Sequence, residues 1–178
     1  TLRRAGLAAI LEVGNDPAWG PAILVRWPRG TLLAERLAKK SPLGPEKEVL
    51  RLAQQIALTL AAAHCQEIYH GTLHPKNVLF PAPEPSQTLQ TVGVLLLNFG
   101  MAYLEAEHHR LTGVLGALSP SERAYRAPEL LRDPNCLSGA SDVYSLGGLL
   151  GRMLLGTVPP YEPAALQSLR PSVAALVM

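Results

Sequence analysis

The sequence predicts an α+β chain, with short strands first and a mostly helical remainder. Three observations carry this. Two short apolar runs, residues 7–13 and 22–26, are separated by Gly14-Asn15-Asp16-Pro17, with Gly20-Pro21 just before the second. Gly, Pro, Asn and Asp favour turns through their backbone geometry, so the runs read as a two-stranded hairpin. Next, Val49, Leu52, Ala53, Ile56, Leu60 and Ala63 recur at three- and four-residue spacing, which puts them on one stripe of a helix over 46–66. Finally, residues 88–97 end in an apolar run and read as a strand.

The remaining elements follow from local chemistry. Thr31 is expected to cap a short helix over 32–40, with Glu35 near its start and Lys39-Lys40 at its end, where the helix dipole favours those charges. Ser41-Pro42-Leu43-Gly44-Pro45 breaks it. Glu46 and Glu48 suit the positive start of the next helix. The prolines in 81–86 make a loop, and 101–126, with Gly113, Gly116 and Ser119-Pro120-Ser121, reads as polar and irregular. Residues 141–155 carry Gly147, Gly148 and Gly151, each costing about 1 kcal/mol relative to Ala in a helix, so a helix there would need close tertiary packing to hold it.

A chain of 178 residues suffices for one domain with a sizeable core. The net charge of +2, without a polybasic block, points away from nucleic acid and anionic membranes. Cys65 and Cys136 make no disulfide framework, and no apolar stretch is long enough to span a bilayer, so a cytoplasmic chain, or the cytosolic part of a larger membrane protein, is expected. Abundant Ala, Leu, Arg and Pro with scarce Lys suggest a bacterial source.

Four motifs stand in order: His70-Gly71-Thr72-Leu73-His74-Pro75-Lys76-Asn77, Asn98-Phe99-Gly100, Ala127-Pro128-Glu129, and Ser141-Asp142-Val143-Tyr144-Ser145-Leu146-Gly147. Together they resemble the catalytic loop, the D-F-G, the A-P-E and the central helix of the eukaryotic-type (Hanks-type) protein serine/threonine kinases. The resemblance implies a protein-kinase-like fold in a single partial domain over 1–178. Residues 1–26 would end the N-terminal lobe, 27–31 form the hinge, with Arg26 and Trp27 at the adenine edge, and 32–178 form a C-terminal lobe truncated after the central helix. His70 and Phe99 would join the apolar spine, with Gly100 after them. Asp142 would accept N–H groups of the loop, and Glu129 would pair with a later Arg.

The same residues depart from the family where its chemistry resides. Thr72 stands at the catalytic Asp, and a Thr hydroxyl has no proton affinity that suits a general base, a role typically worth about 10²- to 10⁴-fold. Asn98 stands at the D-F-G Asp, so with Asn77 the metal site offers amides and no carboxylate. His74 replaces the phosphate-contacting Lys, and Gly71 the Arg that reads a phosphorylated activation segment. No Gly-rich loop or strand lysine is found in the 178 residues. No cofactor is therefore expected, with ATP and Mg²⁺ at most weak. A metal site of Cys65, His70 and His74 is disfavoured because Pro75 breaks the helix that would align the imidazoles. His108-His109 reads as a solvated loop pair, and Arg123 with Arg126 as a basic pair that would meet an acidic partner. The expectation is a pseudokinase that binds a protein partner through the activation-segment region, with a dimer possible. A weak or atypical serine/threonine kinase and a purely structural segment are the alternatives.

Overall fold

The helix α2 (Glu46–His64) packs against α6 (Gly139–Leu155), and this pair forms the centre of the core. The computed structural model describes residues 10–18, 20–25, 27–38, 42–82, 93–113 and 117–177. All six residues of the predicted stripe on α2, from Val49 to Ala63, are buried. From α6, Leu149, Leu150, Met153 and Leu154 enter the same core. Helix α6 begins two residues before the predicted start because Ser138 caps it. The Ser138 hydroxyl accepts the Ser141 N–H, and the Ser141 hydroxyl accepts the Ser138 N–H. Gly156, at φ 73°, ends the helix in the left-handed conformation that glycine tolerates.

Strands β1 (Ile10–Asp16) and β2 (Gly20–Val25) form an antiparallel hairpin as predicted, but Gly14, Asn15 and Asp16 pair with Ala22, Pro21 and Gly20 inside the strands instead of making the turn, and residues 7–9 and 26 of the predicted runs lie outside the described residues. A second sheet has the order β3-β4-β5, from β3 (Gly30–Leu32), β4 (Val78–Pro81) and β5 (Leu95–Leu96), antiparallel throughout. Here the sequence reading needs correction. Thr31 is not a helix cap: it pairs with Phe80 in β3, so this sheet begins inside the segment assigned to the hinge. The helix that follows, α1 (Leu33–Arg36), is shorter than predicted and starts from Leu32 without a side-chain cap. The predicted strand over 88–97 is described only from 93 onward, where two residues pair.

Within 101–126, the described residues are not irregular, and Gly116 lies outside them. They carry α3 (Met101–Thr112) and α4 (Pro120–Arg123), and α5 (Pro128–Arg132) follows. Gly100 (φ 94°) and Gly113 (φ 69°) bound α3. Only Ala102 and Ala106 of α3 are buried, so no broad apolar stripe announced it. Beyond α6 the chain continues into α7 (Pro163–Gln167) and α8 (Pro171–Ala174), and Val173 and Val177 join the core. Among the described residues no helix is long and apolar enough to cross a membrane.

Close packing explains the glycine at 151. A Cβ there would lie 2.4 Å from Tyr161 Cε2 and 2.6 Å from Val177 Cγ1. Buried Arg152 crosses the core boundary, donating from Nη2 to the Leu37 carbonyl at 2.8 Å, which ties α6 to the end of α1. Ala at 151 gains about 1 kcal/mol of helix propensity but overpacks against Tyr161 and Val177, which costs about 1–3 kcal/mol. Gly151→Ala is therefore expected to lower stability in urea unfolding; a clear gain would show that the neighbours give way freely.

Candidate functional site

The loop from His70 to Asn77 is held from outside itself. The Asp142 side chain, 0% exposed, accepts the Gly71 N–H through Oδ1 at 2.7 Å and the His70 N–H through Oδ2 at 2.8 Å. His64 Nε2, at the end of α2, lies 2.8 Å from the same Oδ2. Asp142 occupies the first turn of α6, where the positive helix end favours a carboxylate. The His70 ring is buried and rests on Phe99, with centroids 4.5 Å apart at 49°. Gly71 has φ 67°, and a Cβ on it would lie 2.3 Å from Leu137 Cδ2 and 2.6 Å from Ala102 Cβ.

Of the side chains at the phosphoryl-transfer positions, Asn98 and Asn77 are hydrogen-bonded to each other and the others to groups of their own loop. Asn98 Nδ2 donates to Asn77 Oδ1 at 2.8 Å, and Asn77 Nδ2 donates to the Thr72 carbonyl at 2.7 Å. The Thr72 hydroxyl lies 3.2 Å from His70 Nδ1. Asn98 sits at φ 64°, a left-handed conformation that Asn tolerates better than most residues. His74 Nδ1 accepts the Lys76 N–H at 3.2 Å and so caps the 3₁₀ turn Pro75–Asn77. Burial pushes the His74 imidazole down to about 4, against the nearby Glu122 carboxylate, so it is neutral at pH 7. Burial likewise pushes His70 below the ordinary imidazole value. Lys76 and Glu122 make an exposed pair at 3.4 Å, a type worth little in water.

These residues do not fit Mg–ATP. The amide oxygen of Asn77 is already taken by Asn98, no carboxylate stands at position 72 or 98, and His74 carries no charge for a phosphate. Trp27 is 61% exposed, and Arg26 lies outside the described residues. Among the described residues no group of three His, Cys, Asp or Glu is placed to hold a metal, and Cys65, His70 and His74 form none.

Helix α3 covers the loop. The Tyr103 hydroxyl accepts the Tyr69 N–H at 2.8 Å and donates to the Glu67 carbonyl at 3.3 Å. Arg126 Nη1 donates to Glu105 at 2.8 Å. Between α3 and the loop lies a cleft of about 550 Å³, with Thr72, His74, Asn98, Leu104, Leu118 and Arg126 on its walls. Arg126 is 5% exposed, and its Nε and Nη2 have no partner among the described residues. A buried donor left unpaired costs about 1–3 kcal/mol.

Several sequence expectations change here. Arg126 is not an exposed partner of Arg123: it is buried, and its acid is Glu105 of the same chain. His108 and His109 lie in α3, not in a loop, and His109 Nδ1 is 3.9 Å from Asp133. Glu129 is half-buried in α5 with no ion pair among the described residues. Sequence reasoning missed Tyr103 and Glu105, because no spacing rule links Glu105 to an arginine 21 positions on or Tyr103 to a backbone amide 34 positions back.

Residues 22–174 match the protein kinase domain family, and the chain belongs to it. It is 33% identical over 150 residues to the serine/threonine-protein kinase PkaB of Streptomyces coelicolor, covering 82% of this chain and 33% of that protein. It is 30% identical over 159 residues to PknL of Mycobacterium tuberculosis, covering 89% of this chain and 36% of that protein. The chain thus spans about a third of the length of these curated relatives. The M. tuberculosis PknI kinase domain shares the fold, with TM-score 0.65 at 24% identity, covering 97% of this chain and 60% of that one.

Asp142→Ala leaves two buried N–H groups without an acceptor and is expected to cost about 2–5 kcal/mol in urea unfolding. Asp142→Asn keeps one acceptor oxygen and should cost less; equal stability of both variants with the wild type would remove Asp142 as the anchor. His70 and His74 take protons in the unfolded chain before they do in the folded one. Their share of stability is present above the ordinary imidazole value of 6.5; that of His74 is lost as pH falls from there toward 4, and that of His70 is likewise lost as pH falls below 6.5. Urea midpoints measured across that window should drop, and His74→Gln should flatten part of the drop.

Proposed function

We propose that this domain is a pseudokinase: a regulatory or protein-binding module with little or no phosphotransferase activity. One observation supports this above the others. The side chain of Asn98 donates to the side chain of Asn77, which donates to the backbone of Thr72, so the three positions that would hold metal and take the substrate proton are hydrogen-bonded to each other. Phosphoryl transfer depends on positioning and on charge over the phosphates. Two amides, a threonine and a neutral imidazole supply neither a base nor a cation clamp. The partner is a protein, and the surface that receives it is the α3–α4 region over the loop.

The test is unfolding of the domain with its native flanks, with and without Mg²⁺ and ATP, beside incorporation of labelled phosphate into a generic protein substrate. A ligand at a hundredfold excess over its Kd stabilises the folded state by about 2.7 kcal/mol. The expected outcome is no Mg-dependent rise and no incorporation. Turnover that disappears in Asn98→Ala would establish an atypical serine/threonine kinase instead. Stabilisation by ATP without turnover would make the domain a nucleotide-gated pseudokinase.

A further inference from the structure

Helix α3 turns two small residues, Ala102 and Ala106, onto the body of the domain and a row of larger ones away from it. Met101, Leu104 and Leu111 are 47%, 49% and 68% exposed, and His108, also exposed, completes the row. Steps of three, four and three residues put all four on one face, the spacing by which one helix seats against another. Single apolar residues on a surface are ordinary, whereas a row of them along one helix marks a contact surface. Met101, Leu104 and His108 also line the cleft of about 550 Å³, with Leu118, so side chains of an approaching helix have room to enter beside the row.

The charges beside the row select what covers it. Toward the cleft, Lys76 is paired with Glu122 and Arg126 with Glu105, so these four groups leave no net charge there. On the outer flank stands Glu107, held by Arg110 in an exposed pair of a type worth little in water. A second copy laid antiparallel on the row would bring its own Glu107 against this one, and a parallel copy would set the uncharged Thr112 there. A Lys or Arg on a foreign helix is the complement.

We propose that the row of Met101, Leu104, His108 and Leu111, with the cleft beside it, receives one amphipathic helix of a protein partner, with an apolar stripe along α3 and a Lys or Arg opposite Glu107. This rests on the reading of the domain as a protein-binding module and names the class of segment that it binds. The partner's apolar side chains cover Leu104 and Leu111 and enter the cleft between α3 and the loop.

The probe is a displayed library of random peptides several helical turns long, selected on the domain with its native flanks and without nucleotide. Enriched peptides should carry Leu, Ile, Met or Phe at three- and four-residue spacing with Lys or Arg beside that stripe, and should gain helical circular dichroism on binding. Leu104→Lys and Leu111→Lys, both at exposed positions, should each weaken the best peptide by about tenfold or more, while Leu58→Lys, at an exposed position of α2, leaves it unchanged. Glu107→Lys should weaken it as well. No enrichment, enrichment of acidic or proline-rich extended peptides, or binding that survives both leucine variants overturns the proposal. Sedimentation of the domain alone gives the other adverse outcome: a dimer that Leu111→Lys dissolves assigns the row to a second copy. Phosphate incorporation tests the pseudokinase reading separately. Turnover alongside enriched helical peptides sinks that reading and leaves this proposal standing, and no turnover with no enrichment does the reverse.

Discussion

The architecture around the loop depends on one buried carboxylate. A charge without solvent exposure is costly unless its oxygens are satisfied. Asp142 meets that condition with two backbone N–H groups at 2.7 and 2.8 Å and His64 at 2.8 Å. The three contacts come from the end of α2 and from two consecutive residues of the loop, while the carboxylate comes from the start of α6. The two core helices and the loop are thereby tied at one point. The stacking of His70 on Phe99, and the turn that places Asn77 beside Asn98, both follow from where that point holds the backbone.

Because the anchor grips backbone, its own bonds do not depend on the side chain at position 72. Nothing in the contacts of Asp142 involves Thr72, Asn77 or Asn98. Two carboxylates at positions 72 and 98 would repel each other and raise each other's pKa unless a cation lay between them. An Asn at 98 removes that charge and adds a hydrogen bond to Asn77. With Thr at 72 and Asn at 98 that mutual repulsion is absent. The anchor and the phosphoryl-transfer positions are separable here because the anchor uses backbone N–H groups of the loop, whereas Thr72, Asn77 and Asn98 would act through side chains.

That separation also explains what the sequence could and could not disclose. The stripe on α2, the β1–β2 hairpin and the four ordered motifs were legible because they rest on periodicity, turn chemistry and fixed spacing, and the family match over 22–174 agrees with them. Helix α3 was not legible. It buries little beyond Ala102 and Ala106, and its stability rests on glycine ends and on tertiary bonds from Tyr103 and Glu105. Thr31 was misread because a Thr before an apolar run suits a cap and a strand alike, and only pairing with Phe80 decides between them. The buried state of Arg126 was likewise invisible, since an Arg between Tyr and Ala-Pro-Glu carries no mark of burial.

Gly71 links these observations. Its positive φ and the nearness of Leu137 and of Ala102 in α3 leave no room for a Cβ in this arrangement. A side chain at 71 would press on both Leu137 and α3. With Gly at 71, α3 closes over the loop, and a buried cation stands elsewhere, at Arg126, facing Glu105 of that helix. The ion pair and the glycine therefore act in the same sense: one removes the obstacle to α3, and the other gives the helix a charge to close upon. Anything that draws Glu105 away from Arg126 weakens the tertiary contacts of α3 and leaves the Tyr103 bonds and the Ala102 contact to hold it over the loop.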